Sequence, residues 1–253
     1  MGGGVKELLS LQEVSKSFGG IKALDRASFS VTENQVLGII GLNGSGKTTA
    51  VNIITGFIKP DSGEIRFKDK VITGFPPHKI ASLGIARSFQ TVRPFHNLPA
   101  YKNLIVPLYS PRIRKFTESG RWGDRDAVAL DLLEEVGFER DSHVPYKPAS
   151  TLPHGYLRRL ELARCLALRP DLLITDELFS GLSTSEVASI VPLIEKLQDR
   201  GMTLIMVEHR LRELFRLADR IVVLDRGRKV AEGSPAEIVE NRTVKETYLG
   251  AEL

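Results

Sequence analysis

Val36-Leu37-Gly38-Ile39-Ile40-Gly41-Leu42-Asn43-Gly44-Ser45-Gly46-Lys47-Thr48-Thr49 decides the fold. Residues 36–40 are an apolar run of strand length. Gly41 to Thr48 match G-x-x-x-x-G-K-[ST] at every fixed position. A helix-compatible run leaves from Thr48 toward Thr55. Strand, glycine loop and helix in that order form a phosphate cradle. Glycines let backbone N–H groups wrap an anion that a Cβ would exclude. The helix N-terminus adds its positive end. Lys47 is placed to reach β and γ phosphates, and the Thr48 hydroxyl to bind Mg2+. Gly41, Asn43, Gly44, Ser45, Gly46, Lys47, Thr48 and Thr49 are therefore the candidate nucleotide-binding residues. The plain alternative is a glycine turn between a strand and a helix, and the flanking context speaks against it.

Outward from this stretch, periodicity gives an α/β protein. Strand-like runs occur at Leu8–Val14, Phe29–Val31, Glu64–Phe67, Ile85–Phe89, Leu172–Thr175, Thr203–Val207 and Ile221–Leu224. Helix-like runs occur at Pro77–Leu83, Arg125–Val136, Tyr156–Leu168, Thr184–Asp199, Leu211–Ala218 and Pro235–Asn241. The two types alternate in the second half, which argues for a parallel sheet. No strand is evident over 91–151, where prolines punctuate a helical pattern. This reads as a helical subdomain inserted into the core. Arg112, Arg114, Lys115 and Arg121 fall in its loop-like part and read as a solvated surface; Trp122 has no motif around it.

Composition sets the bounds. The 253 residues, with 42% hydrophobic and 26% charged, suit one large globular domain over 1–253 and exclude collagen, a coiled-coil rod and a disordered chain. A net charge of +4 leaves phosphate ligands, nucleic acid and anionic membrane surfaces open. The lone Cys165 makes no internal disulfide, which favours a reducing compartment. The longest apolar run, Val36 to Leu42, is far below the roughly 20 residues of a spanning helix. The start has no secretory h-region, and Lys6 breaks the myristoylation pattern.

A second constellation lies about 130 residues on. Leu172-Leu173-Ile174-Thr175-Asp176-Glu177 is an apolar strand ending in two carboxylates. Such a strand delivers Asp176 toward the metal and points Glu177 at the γ-phosphate, where it can polarise a water. Together the two constellations resemble the ATP-binding cassette (ABC) ATPases over nearly the whole chain. The resemblance implies a P-loop core with a mixed sheet, an N-terminal antiparallel β part and the helical insert. It implies ATP and Mg2+ as cofactors. It makes Gln90 similar to the glutamine that touches Mg2+ and water and links nucleotide to the membrane partner. His209 resembles the histidine that contacts the γ-phosphate, Phe18 the aromatic that stacks on adenine, and Ser180-Gly181-Leu182-Ser183 the loop that crosses to a partner subunit.

One departure stands out. The family signature Leu-Ser-x-Gly-Gln is here Leu152-Pro153-His154-Gly155-Tyr156. Gly155 and a helix start remain, so a phosphate can still be bound, but the serine hydroxyl is gone and Pro153 has no N–H. Losing a hydrogen bond to a charged phosphate, about 1.5–3 kcal/mol, predicts weaker closure at a site using this signature. Leu178 in place of the usual Pro, and Thr175 in the apolar run, are smaller departures.

Ile85-Ala86-Arg87-Ser88-Phe89-Gln90-Thr91, Thr55–Pro60, Val207-Glu208-His209-Arg210 and Tyr248-Leu249-Gly250 resemble the larger ATPase subunit of branched-chain amino acid importers. That implies integral-membrane permease subunits docked near Gln90–Tyr109, a second ATPase subunit packed head-to-tail as a homo- or heterodimer, and, indirectly, an extracytoplasmic binding protein. It implies peripheral attachment to the cytoplasmic face of the membrane and no nucleic-acid partner. Two other functions compete: an exporter ATPase of the lipopolysaccharide type, and a regulatory nucleotide-binding module that barely hydrolyses ATP.

Overall fold

The computed structural model describes residues 6–113 and 124–245. The glycine-rich start, Arg114, Lys115, Arg121, Trp122 and Tyr248-Leu249-Gly250 lie outside the described residues.

β1 (Glu7–Phe18) and β2 (Ile21–Thr32) pair as a long antiparallel hairpin, in which buried and less buried positions alternate regularly over Ala27, Phe29 and Val31 of β2. β4 (Ser62–Phe67) pairs with β1 and β5 (Lys70–Val71) with β4, giving a four-stranded sheet in the order β2-β1-β4-β5. A second sheet holds β3 (Val36–Ile40), β6 (Ile85–Arg87), β7 (Leu172–Asp176), β8 (Thr203–Val207), β9 (Arg220–Asp225) and β10 (Arg228–Gly233). Its order is β10-β9-β3-β8-β7-β6, parallel except for β10.

The second sheet is buried on both faces, which explains the unbroken apolar runs of β3, β7 and β8. Side chains divide by parity. Val36, Ile40, Leu173, Leu204, Met206, Ile221 and Val223 enter one core with the helical elements of residues 100–166. Leu37, Ile39, Leu172, Ile174, Ile205, Val207, Val222 and Leu224 enter the other, against the antiparallel sheet and α1 (Lys47–Ile54). The sheet is thus the middle layer.

Other helices among the described residues include α2 (Pro77–Leu83), α3 (Arg125–Glu135), α4 (His154–Leu166), α5 (Thr184–Asp199), α6 (Leu211–Leu217) and α7 (Pro235–Glu240), with a single turn at Ile105–Leu108. Asp124 caps α3 by accepting the Asp126 and Ala127 N–H groups. Ser183 and Glu186 form a capping box on α5.

Several boundaries differ from the sequence reading. β2 is twelve residues long, where only Phe29–Val31 was legible. β6 ends at Arg87, although Ser88 still donates its N–H to Ile174 O at 2.9 Å. β10 carries no apolar stripe because it is a largely exposed edge. Arg112 corrects the expected surface loop. Its guanidinium caps Leu168 O and Arg169 O at 3.0 and 2.7 Å and pairs with Asp171 at 2.8 Å, tying the insert to the chain entering β7.

Candidate nucleotide-binding and hydrolysis site

The sheet order gathers the site. β3, β8, β7 and β6 are neighbours, and their carboxyl ends lead into Gly41–Lys47, His209, Asp176-Glu177 and Gln90 respectively. These segments are far apart in sequence and side by side in space. Ligands of open parallel sheets bind at this edge.

In the glycine loop, Gly46 has φ +106°, and a Cβ there would stand 2.5 Å from Ala23 O. Only glycine fits. Ser45 Oγ is buried with no hydrogen-bond partner. Lys47, 6% exposed, turns its ammonium into the loop and donates to Gly41 O at 2.6 Å and Leu42 O at 3.0 Å. Burial lowers its pKa, opposed by the carboxylates of Glu177 and Asp176. A concave backbone, an orphaned hydroxyl and a buried ammonium fit a polyphosphate. Thr48, Gln90 and Asp176 line one cleft of about 470 Å3. Hydroxyl, amide and carboxylate oxygens suit a hard cation such as Mg2+, which takes few protein ligands and completes its shell with phosphate and water.

Glu177 sits at φ +53°, a strained value for a residue with a Cβ. Its carboxylate is bracketed. Gln90 Nε2 donates to Oε2 at 2.6 Å, and His209 Nε2 lies 3.1 Å from Oε1. The structure therefore brings Lys47, Thr48, Gln90, Asp176, Glu177 and His209 into one neighbourhood. Such an array can hold a triphosphate, neutralise it and activate a water. Phe18 ends β1, 47% exposed, with Lys16 Nζ 5.5 Å from its ring centroid. Gly155 does not line the cleft of Thr48, Gln90 and Asp176. It lines a separate cleft of about 200 Å3 with Pro153, Tyr156 and Glu186. Its N–H already donates to Glu186 Oε1 at 3.2 Å.

Sequence reasoning missed four residues here. Arg87 donates to Asp176 Oδ2 at 2.6 Å and to Asn52 Oδ1 at 2.6 Å, and its guanidinium lies over the Phe89 ring at 5.0 Å. Arg158 on α4 is buried and donates to Phe89 O and Ser180 O at 3.2 and 3.0 Å, joining the approach to Gln90 with the turn after Glu177. Glu208 and Glu186 are the others. Nothing in a single sequence marks a charged residue as buried; only the quoted motifs around Arg87 and Glu208 gave a hint.

The Arg87–Asp176 pair is 7% and 5% exposed. Removing one partner of a buried ion pair typically costs about 3–5 kcal/mol, because the other charge is left stranded. Arg87→Met should lower the denaturant midpoint accordingly. Adding Asp176→Leu to it should restore much of that loss. A single variant as stable as the wild type in urea melts would contradict this.

Residues 24–180 match the ABC transporter family. The chain belongs to the ABC transporter ATPases. Residues 228–253 of this cassette also match the branched-chain amino acid ATP-binding cassette transporter family. It is 37% identical to the high-affinity branched-chain amino acid transport ATP-binding protein BraF of Pseudomonas aeruginosa, over 97% of this chain and 98% of that protein. It is 34% identical to the Escherichia coli protein of that description, LivG, over 96% and 98%. Among solved structures, the cassette superposes on MJ1267, an ATP-binding cassette in its ADP conformation, with TM-score 0.82 and 32% identity, over 96% of this chain and 99% of that one. The dimeric cassette MJ0796 gives TM-score 0.79 at 26% identity, over 90% and 99%. As in such cassettes, ATP is the nucleotide, and no helix among the described residues is long and apolar enough to cross a membrane.

Proposed function

We propose that this cassette is the ATP-hydrolysing subunit of an importer for branched-chain amino acids. It is read as one domain over 1–253, with 91–151 as its helical subdomain. The observation that carries hydrolysis is the Glu177 carboxylate held between Gln90 and His209 beside the buried Lys47 ammonium. In this reading Lys47 and the N–H groups of residues 41–49 grip the phosphates, and Phe18 supports the adenine. Thr48, Asp176 and Gln90 would hold Mg2+, which supplies charge neutralisation at the phosphates. Glu177 takes a proton from the attacking water and His209 contacts the γ-phosphate. The transported amino acid follows from the relatives, BraF and LivG, and from the match at 228–253.

The partners follow from the same resemblance. Membrane permease subunits dock on the cleft beside Gln90, where the Phe57 and Phe89 rings are exposed. A second ATPase subunit packs head-to-tail against the cassette. A binding protein delivers the substrate from outside, and the cassette rides on the cytoplasmic face. Proteoliposomes holding the assembled transporter should accumulate labelled leucine on addition of Mg2+ and ATP. ATP-dependent lipopolysaccharide extraction in place of leucine uptake would favour the exporter reading.

A second reading has its own observation. Pro153 and the Glu186 contact at Gly155 leave the signature end poorly equipped for phosphate. Of the two composite sites in a dimer, the one built on this signature would be slow, while this chain's own phosphate loop, facing an intact partner signature, would turn over.

A further inference from the structure

Glu208 is a buried acid for which the reaction outlined above has no use. It is 3% exposed and precedes His209 at the end of β8. Its Oε1 accepts the Phe179 N–H at 3.2 Å, and the Leu178 N–H also bonds to this carboxyl. Those two amides belong to the residues directly after Glu177. The peptide that carries Glu177 is strained at φ +53°. A left-handed non-glycine residue costs about 1–3 kcal/mol and persists where its surroundings over-determine it. Two backbone bonds contribute, from Glu177 N to Val207 O at 2.8 Å and from Ser180 N to Glu177 O at 3.1 Å. The Glu208 carboxyl supplies the acceptors for the amides between them.

We propose that Glu208 is a positioning residue: by gripping the Leu178 and Phe179 amides it fixes the strained turn that aims Glu177 between Gln90 and His209. The strand end therefore acts twice on Glu177. His209 meets its carboxylate, and the neighbouring Glu208 holds its backbone. An acid is an expensive way to fill buried volume unless its oxygens are needed as acceptors. Glu177 after β7 and Arg158 on α4 are the charged groups that face it. Burial, the larger influence, pushes its pKa up to about 8, against the pull of the two amides and of Arg158.

This rests on the reading that Glu177 activates the water, so Glu177→Gln is measured alongside. In the assembled transporter, Glu208→Leu refills the volume without acceptors. It should lower kcat about tenfold or more, as misaimed catalytic groups do. The Kd for Mg2+·ATP, read by calorimetry on the purified chain, should stay within about threefold, because the phosphate loop is untouched. Glu208→Gln restores an acceptor oxygen and should recover most of the lost kcat. Wild-type kcat in Glu208→Leu overturns the proposal. So does a Gln variant as slow as the Leu variant, or a loss of ATP affinity that matches the loss of kcat. If Glu177→Gln itself turned over normally, the underlying assignment would fail instead, whatever Glu208 did.

Discussion

Replacing Glu177 by Gln is expected to cut ATP turnover of the assembled transporter by about 10²–10⁴-fold, the usual weight of a positioned general base. The amide has the carboxylate's shape, so its bond to the turn and its place between Gln90 and His209 are kept. What it cannot do is take a proton from water at neutral pH. Nucleotide binding should be unchanged, because Lys47 and the glycine loop are untouched. The equivalent glutamate of the partner ATPase should matter much less. That subunit's nucleotide would close onto Pro153-His154-Gly155-Tyr156. Pro153 offers no N–H, and the Gly155 N–H is 3.2 Å from the Glu186 carboxylate, which meets an incoming phosphate with like charge. One lost charge-assisted hydrogen bond, about 1.5–3 kcal/mol, is roughly a ten- to hundredfold loss in closure. Phosphate release measured in both single variants decides the matter. Equal losses would refute the asymmetry.

The chemistry of β3 and its loop was legible because each level of the sequence agreed. An apolar strand, glycines where φ is positive and a helix-forming run occur in immediate succession. The carboxyl ends of β7 and β8 were legible for the same reason, since buried parallel strands announce themselves as short unbroken apolar runs. The β1–β2 hairpin was read only in part. Its register shifts between Leu11 and Val14 and again before Lys16, and Glu13 and Arg26 have positive φ, so the period-two pattern slips wherever the hairpin bulges. The ties among the site segments were not legible at all. Arg87 reaches Asp176 across 89 positions, Arg158 reaches Phe89 across 69 and Glu208 reaches Phe179 across 29. Such contacts depend on which strands end up adjacent, and local propensity carries no trace of that. The apparent surface arginine at 112 failed for this reason too: its partners, Leu168 O, Arg169 O and Asp171, lie beyond α4.

Lys47→Ala should abolish measurable Mg2+·ATP binding and, with it, uptake. The ammonium is already inside the loop, bonded to Gly41 O and Leu42 O, so it meets phosphate without being ordered first. Several charge-assisted bonds are lost together, at about 1.5–3 kcal/mol each, which moves affinity by a hundredfold or more. The fold should not suffer. Burial lowers the Lys47 pKa, which means that the folded state holds this charge less readily than the unfolded chain does. The sign is that of a cost at neutral pH, present below the lowered pKa and relieved as pH rises through it toward the unfolded value. Replacement by Ala removes that cost together with the bonds to Gly41 O and Leu42 O, so the two effects oppose each other and thermal melts without nucleotide should show Lys47→Ala close to the wild type. Melts with nucleotide separate the two proteins. At a hundred times its Kd, ligand stabilises the wild type by about 2.7 kcal/mol, and the variant should gain at most about 0.4 kcal/mol at the same concentration. A variant that gained the full shift would mean that the loop's backbone alone holds the nucleotide, and the central role of the buried ammonium would fall.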